Sequence, residues 1–269
     1  MRRSSSLARL LSSAAAAALL AASLGGCQTM ADVKGALTAK SDSVADVDPL
    51  RGLDAYGERY RANPKDADAA LRYGLALRAN GQRAQAVAVL EQGSIAHPAN
   101  KAMLAAYGRA LADIGSFQQA FDVLSRSHSP DNPDWRILSV QGAALDQMGR
   151  HDEARRYYAS ALQIAPNEPA VLSNLGLSYV LSKDLPKAEE TLRQAQATGR
   201  ADVRVRQNLA LAIGLQGRFA EAETIAKGDL PADEAAANVA YLKQMLARKD
   251  TPRTARNGKP PVVAFDQAD

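Results

Sequence analysis

Small and large apolar residues recur along the chain at a fixed interval of 34 residues. The first set is Gly74, Gly108, Gly142 and Gly176, and Ala210 continues it. A recurrence of this length is typical of stacked supersecondary units. Four more columns keep the period: Gly81, Gly115, Gly149, Lys183 and Gly217; Ala86, Ala120, Ala154, Ala188 and Ala222; Leu90, Leu124, Tyr158, Leu192 and Ala226; and Pro64, Pro98 and Pro166, with Pro133 one residue late and Arg200 replacing the last.

Each column has a physical reason in a pair of antiparallel helices. Small residues are needed where the two helices cross, because a larger side chain would push them apart. A glycine just past the first helix supplies a left-handed cap, and a proline after the second helix stops it. The columns predict helix pairs at 67–80 and 83–96, 101–114 and 117–128, 135–148 and 151–164, 169–182 and 185–198, and 203–216 and 219–228.

The columns resemble the tetratricopeptide pattern over about residues 66–228. The resemblance implies an all-α, right-handed solenoid of about five hairpins, which we expect to occupy residues 49–248. Residues 49–62 look like the second helix of an incomplete leading repeat, and 232–248 look like a capping helix that shields the last hairpin. Residues 249–269 contain Pro252, Pro260 and Pro261, and we expect them to be disordered.

The first 26 residues have the pattern of an export signal, with three arginines followed by an apolar run that ends in small residues. Leu24-Gly25-Gly26-Cys27 resembles the lipobox of bacterial lipoproteins. That resemblance implies cleavage before Cys27, lipid attachment at its thiol, and, from the residue at position 28, the outer membrane. Residues 27–48 would then be a lipidated, flexible tether. The alternative is an ordinary signal peptide or an N-terminal membrane helix with an incidental cysteine.

Composition argues against several other functions. The formal charge is +4, and about +1 without the three arginines of the export signal, with the remaining charges mixed along the chain, so nucleic acid is not expected as a partner. Cys27 is the only cysteine, and His97, His128 and His151 have no metal-ligand spacing, so we interpret them as solvated loop residues. We expect no enzymatic activity, no small-molecule substrate, no metal and no cofactor apart from the covalent lipid on Cys27.

In tetratricopeptide proteins the first helix of each hairpin lines a concave groove that binds a protein client. Asn174 and Asn208 stand where related proteins use an asparagine to bind the backbone of an extended peptide. Arg204 resembles part of a clamp for a C-terminal carboxylate, although Ser139 and Ala143 stand where the other clamp groups belong. The alternative is that these polar groups cap turns or face water. The candidate groove residues are Arg109, Arg136, Asn174, Leu177, Arg204, Gln207, Asn208 and Leu211.

The combination of lipobox, tether, about five repeats and a proline-containing tail resembles the TadD family of repeat lipoproteins, which serve tight-adherence (Flp) pilus systems. The resemblance implies a periplasm-facing scaffold that helps to assemble a pilus or its outer-membrane secretin. Other envelope assembly lipoproteins remain alternatives, such as a component of the β-barrel insertion machine or a type IV pilotin. A scaffold for cell-wall enzymes is a further alternative.

Overall fold

The computed structural model describes residues 52–129 and 131–249. Apart from an isolated β-bridge between Ser129 and Asn132, the regular elements of these residues are twelve helices. The helices are α1 Leu53–Ala62, α2 Ala67–Ala79, α3 Arg83–Ala96, α4 Lys101–Asp113, α5 Phe117–Ser125, α6 Trp135–Gln147, α7 His151–Ile164, α8 Pro169–Leu181, α9 Leu185–Ala197, α10 Val203–Leu215, α11 Phe219–Ala226 and α12 Ala232–Lys249.

The all-α prediction is confirmed, and every predicted helix of the five pairs begins at the predicted residue. The largest difference is at α5, which ends at Ser125 and not at residue 128. Both the amide and the hydroxyl of Ser127 donate to the Leu124 carbonyl, at 3.0 and 2.7 Å, so a tight turn replaces the last helical turn. The last helix, α12, includes Lys249, which the sequence analysis assigns to the tail.

The turn inside each hairpin is built in the same way five times. The second residue after the first helix has a positive φ, which is 76° at Gly81 and 66° at Lys183. The next amide then donates to a carbonyl five residues earlier, over 2.9–3.3 Å, which satisfies an open carbonyl at the end of the first helix. Four of these five residues with a positive φ are glycine, and the fifth is Lys183. A residue with a side chain is strained in this left-handed conformation.

The small residues of the first column lie against the large residues of the fourth. A Cβ added to Gly108 would lie 2.5 Å from Leu124 Cγ, and one added to Gly142 would lie 2.6 Å from Tyr158 Cε1. Gly74 with Leu90 and Gly176 with Leu192 repeat the arrangement. In the last hairpin both members of the pair are alanine, Ala210 and Ala226, which belong to one buried cluster. A larger residue in the first helix is thus matched by a smaller one in the second.

Each first helix also begins at a side-chain cap. Five residues spaced by 34 accept a hydrogen bond from a backbone amide of the first turn, which stabilises the start of the helix. The sequence analysis did not recognise this column, although four of its five members are aspartate or asparagine, which are common helix caps, and its period is the same. Its members are Asp66, Asn100, Asp134, Glu168 and Asp202.

The hairpins stack in chain order, and each second helix packs against the first helix of the next hairpin. The first helices α2, α4, α6, α8 and α10 also contact one another from hairpin to hairpin, so they form a continuous wall. We call the side of this wall that faces away from the second helices the inner face. The core runs along the whole stack, and the alanine column from Ala86 to Ala222 is at most 1% exposed.

Helices α1 and α12 cover the two ends of the stack. Tyr60 of α1 lies against Tyr73 of α2, with ring centroids 5.6 Å apart. At the other end Ala235 is fully buried, and Leu242 lies where a Cβ on Gly214 would meet it at 2.5 Å. The predicted export signal at 1–26, Cys27, the tether to residue 48 and the tail beyond residue 249 lie outside the described residues.

Candidate protein-binding face

The candidate groove residues are all carried by first helices, and equivalent positions recur 34 residues apart. Arg109, Leu177 and Leu211 share one register, and Arg136 and Arg204 share another. Successive first helices are in contact, so residues in one register form a row across the inner face. The wall therefore presents a series of side chains that a single extended or helical segment could contact.

Asn174 and Asn208 are bound within the stack. Asn174 Nδ2 donates to Ser139 Oγ and Asn208 Nδ2 donates to Ser173 Oγ, both over 3.0 Å and both to a residue 35 positions earlier. Ser139 is 3% exposed and Ser173 is fully buried. These bonds join α6 to α8 and α8 to α10, so each amide uses one donor to fix the spacing of neighbouring first helices. This role was not among those considered for the asparagines.

Charged residues concentrate at the end of the inner face formed by α2, α4 and α6. Arg78 and Asp113 form a two-pronged ion pair across α2 and α4, with Nε 2.5 Å from Oδ2. Their side chains are 11% and 12% exposed, so water screens the pair poorly. Arg136 lies 4.0 Å from Asp134 at the start of α6.

Arg109 lies among these charges, but its Nε does not take part in their hydrogen bonds. Its Nε is buried and has no hydrogen-bond partner among the described residues. Burial lowers the pKa of Arg109, as do the nearby charges of Arg78 and Arg136, against the opposite effect of Asp134 and Asp113. The neighbours that perturb Arg109 come from three successive hairpins, which places its guanidinium where α2, α4 and α6 meet.

Arg204 occupies the far end of the inner face. Its Nη2 donates to Asp202 Oδ2 over 3.1 Å, whereas Nε and Nη1 are buried and have no hydrogen-bond partner among the described residues. Its side chain is 14% exposed. Gln207, one turn further along α10, is partly buried. The complete clamp for a terminal carboxylate is not assembled here, because Ser139 is bonded to Asn174 and Ala143 carries no polar group.

The same end carries apolar side chains that the core does not cover. Leu211 is 37% exposed on α10, and Leu177 is partly exposed on α8. Leu71 and Leu75 of α2 are partly buried against the core. The inner face therefore carries both arginines and apolar side chains, an arrangement that suits an amphipathic polypeptide.

The three histidines lie at or near turns, as predicted, but each is partly buried and contacts a protein acceptor, so they are not simply solvated. His97 Nε2 lies 2.7 Å from the Lys65 carbonyl, and His128 Nε2 lies 3.2 Å from Oε1 of the buried Gln141. His151 Nδ1 lies 2.8 Å from Asp146 Oδ1. The helix-to-helix packing of the repeat brings these partners close, which a reading of the turns alone does not reveal. Within residues 52–129 and 131–249 no group of His, Cys, Asp and Glu could hold a metal ion.

Asp146 is the centre of a buried polar network that the sequence analysis missed. The hydroxyls of Tyr158 and Ser178 donate to its carboxylate over 2.9 and 2.8 Å. Burial and the Asp146 charge raise the pKa of Tyr158 well above its ordinary value. The network joins α6, α7 and α8, and we interpret it as structural. An aspartate among apolar positions of a first helix is the signal that could have identified it.

These observations define the class of protein: a helical-hairpin solenoid with a continuous, partly exposed face of first helices. Two family models described as tetratricopeptide repeat match residues 74–133 and 147–212. The chain therefore carries tetratricopeptide repeats, which are protein-interaction modules. No curated protein sequence matches it significantly. None of the described helices is long and apolar enough to span a membrane.

Three solved structures illustrate the likeness in fold. PilW, described as a widely conserved type IV pilus biogenesis factor, has a TM-score of 0.62 at 16% identity, over 71% of this chain and 90% of PilW. A thermophilic tetratricopeptide protein of Thermus thermophilus has a TM-score of 0.57 at 21% identity, over 66% of this chain and 100% of that one. The Cut9–Hcn1 tetramer of the APC/C gives 0.60 at 16% identity, over 74% of this chain and only 40% of that one. At these identities the likeness concerns the fold.

Proposed function

We propose that this chain is a lipid-anchored scaffold of the bacterial cell envelope, which holds a client protein during the biogenesis of a Flp/Tad-type pilus or its secretin. The observation that carries the proposal is the inner face, where first helices from five hairpins form one wall with both basic and uncovered apolar side chains. Such a wall can contact one client segment at several successive positions.

The anchoring part of the proposal rests on Leu24-Gly25-Gly26-Cys27 and the export pattern before it. Three acyl chains at about 0.8 kcal/mol per buried methylene would hold the chain on a membrane almost irreversibly. Replacing Cys27 by serine should release the chain from membranes and leave the solenoid folded, as judged by fractionation and circular dichroism. Labelled palmitate entering the Cys27→Ser protein as well as the wild type would contradict lipid attachment at this residue.

The pilus part of the proposal rests on the overall resemblance to TadD-type lipoproteins. PilW supports a pilus context, because a protein described as a pilus biogenesis factor has the same fold over most of its length. Deletion of the gene should abolish surface pili, and the intact chain should restore them. Normal piliation of the deletion strain would reject this assignment.

The alternatives differ in the partner they require. Affinity capture from cross-linked native envelopes should yield a secretin under the proposal. A barrel insertase would instead support a role in β-barrel assembly, and peptidoglycan synthases or hydrolases would support a scaffold for cell-wall enzymes. A secretin captured without any other pilus protein would indicate a pilotin-like role.

A further inference from the structure

Five charged residues meet where α2, α4 and α6 form the inner face: Arg78, Arg109, Asp113, Asp134 and Arg136. Asp113 is bound by Arg78 through two contacts. Asp134 caps α6 through the Arg136 amide, and the Arg136 guanidinium lies 4.0 Å away. The cluster thus contains three arginines and two carboxylates, and both carboxylates are engaged by residues other than Arg109.

Arg109 therefore carries the excess positive charge of the cluster, and it does so in a buried position. Its Nε is buried with no hydrogen-bond partner among the described residues, and burying a cationic donor without a partner is costly. The lowered pKa of Arg109 has the same origin, since desolvation and two neighbouring arginines outweigh the two aspartates. One additional carboxylate at this point would supply both the missing acceptor and the missing negative charge.

We propose that Arg109 binds the side-chain carboxylate of an aspartate or glutamate within the client segment that the inner face holds. A guanidinium matches a carboxylate in shape and can donate to both of its oxygens. The cluster has one excess positive charge, which one carboxylate neutralises, whereas a phosphate dianion would leave an excess of negative charge. The proposal rests on the function proposed above, because it identifies the chemistry of one contact with the client.

A side chain fits this place better than a chain terminus. Holding a terminal carboxylate also requires a free amide or hydroxyl for the last peptide unit of the ligand, and the two positions of α6 where the clamp pattern would have them, 139 and 143, do not supply one. Ala143, which shares the register of Arg109, is apolar, and Ser139 is 3% exposed with its hydroxyl accepting from Asn174. In the same row Leu75 precedes Arg109, and Ala143, the partly exposed Leu177 and the exposed Leu211 follow it, so apolar residues of the same segment would flank the acidic one.

The test follows the Nε–Hε signal of Arg109 by nuclear magnetic resonance, in the full chain purified in detergent and labelled with ¹⁵N-arginine. Loss of one signal in Arg109→Gln assigns it, and the exposed Arg126 at the end of α5 serves as an internal control. The first probe is acetyl-Leu-Glu-Leu-amide. The second, acetyl-Leu-Gln-Leu-amide, removes the charge, and the third, acetyl-Leu-Gln-Leu with a free carboxylate, places the charge at the terminus.

We expect the glutamate probe to shift the Arg109 signal in a saturable manner and the glutamine amide to leave it unchanged. The Arg126 signal should not move, and Arg126→Gln should bind the glutamate probe as the wild type does. Binding of this probe should fall at least tenfold in Arg109→Gln, a variant whose helical circular dichroism should be unchanged. If this variant loses helicity, affinity is compared in Arg109→Lys instead. The lysine ammonium keeps the positive charge but cannot donate to both carboxylate oxygens in parallel, so it should bind the glutamate probe several-fold more weakly.

Three results would overturn the inference: no shift with any probe, equal shifts with the glutamate and glutamine amides, or a shift only with the free terminal carboxylate. The last would assign the site to a chain end. These failures are distinguishable from failure of the proposed function. If a client cross-links to the inner face but no probe shifts the Arg109 signal, the scaffold function is retained and only the inference about Arg109 fails.

Discussion

The pairing of Gly108 with Leu124 gives a quantitative test of how the two helices of a hairpin fit together. In Gly108→Ala the new Cβ would lie 2.5 Å from Leu124 Cγ, 2.8 Å from its Cδ2 and 3.3 Å from the Ala120 carbonyl oxygen. Carbon atoms in contact are normally about 3.5–4.0 Å apart, so Leu124 must move by roughly 1 Å. Leu124 is fully buried and has little room to do so.

The expected magnitudes follow from this geometry. Overpacking costs about 1–3 kcal/mol, and the better helix propensity of alanine offsets about 1 kcal/mol, so Gly108→Ala should destabilise by about 0–2 kcal/mol. Leu124→Ala should cost about 2–5 kcal/mol because it leaves a cavity. In the double variant the new methyl group enters that cavity and no longer meets the Leu124 side chain, and the last hairpin has the same combination of residues in Ala210 and Ala226. The double variant should therefore be more stable than the sum of the single effects, by about 1–3 kcal/mol.

The assay is urea unfolding followed by circular dichroism, with hydrogen exchange of the α4 and α5 amides as a local readout, because stacked repeats do not always unfold as one unit. A matched control combines Gly108→Ala with Leu192→Ala, the equivalent leucine two hairpins away, and should be additive within about 0.5 kcal/mol. Additivity in the contacting pair as well would refute the assigned helix crossing.

Three other predictions concern single residues. Ala154→Leu, at a fully buried crossing, should destabilise by about 1–3 kcal/mol, and an unchanged melting temperature would show that the register is wrong. Lys183→Gly should stabilise by up to about 1 kcal/mol in urea unfolding because it relieves a φ of 66°, whereas a gain with Lys183→Ala would contradict that reason. At Glu189 burial raises the pKa, but hydrogen bonds from Arg218, Gln216 and Arg193 outweigh it and lower the pKa to about 2. Since the folded pKa lies below the unfolded one, this stabilisation should be present above about pH 5 and be lost towards pH 2; a melting temperature equally dependent on pH in Glu189→Gln would exclude it.

The helices were predictable because each hairpin repeats the same local requirements. A glycine in a left-handed turn, a small residue at a crossing and a proline after a helix act within one unit, so their period shows in the sequence. The two alanines Ala210 and Ala226 were visible in the same columns, but only the structure shows that both belong to one buried cluster.

Contacts between hairpins were much harder to predict. The bonds from Asn174 to Ser139 and from Asn208 to Ser173 depend on how far each first helix is displaced against the next, which no local preference determines. The same holds for the ion pair of Arg78 with Asp113 and for the isolation of Arg109. The sequence therefore predicted which helices carry the candidate residues, while the partners of their polar groups came only from the packed structure.

The central claim is that the inner face holds a protein client, and site-specific photo-cross-linking in the native envelope tests it most directly. A photoreactive residue at Leu211, which is 37% exposed on the inner face, is compared with one at the exposed Gln163 on the second helix α7. The account predicts one client cross-linked from position 211, and again from 177, with none from position 163. The same client captured equally well from position 163, or captured only there, would contradict it.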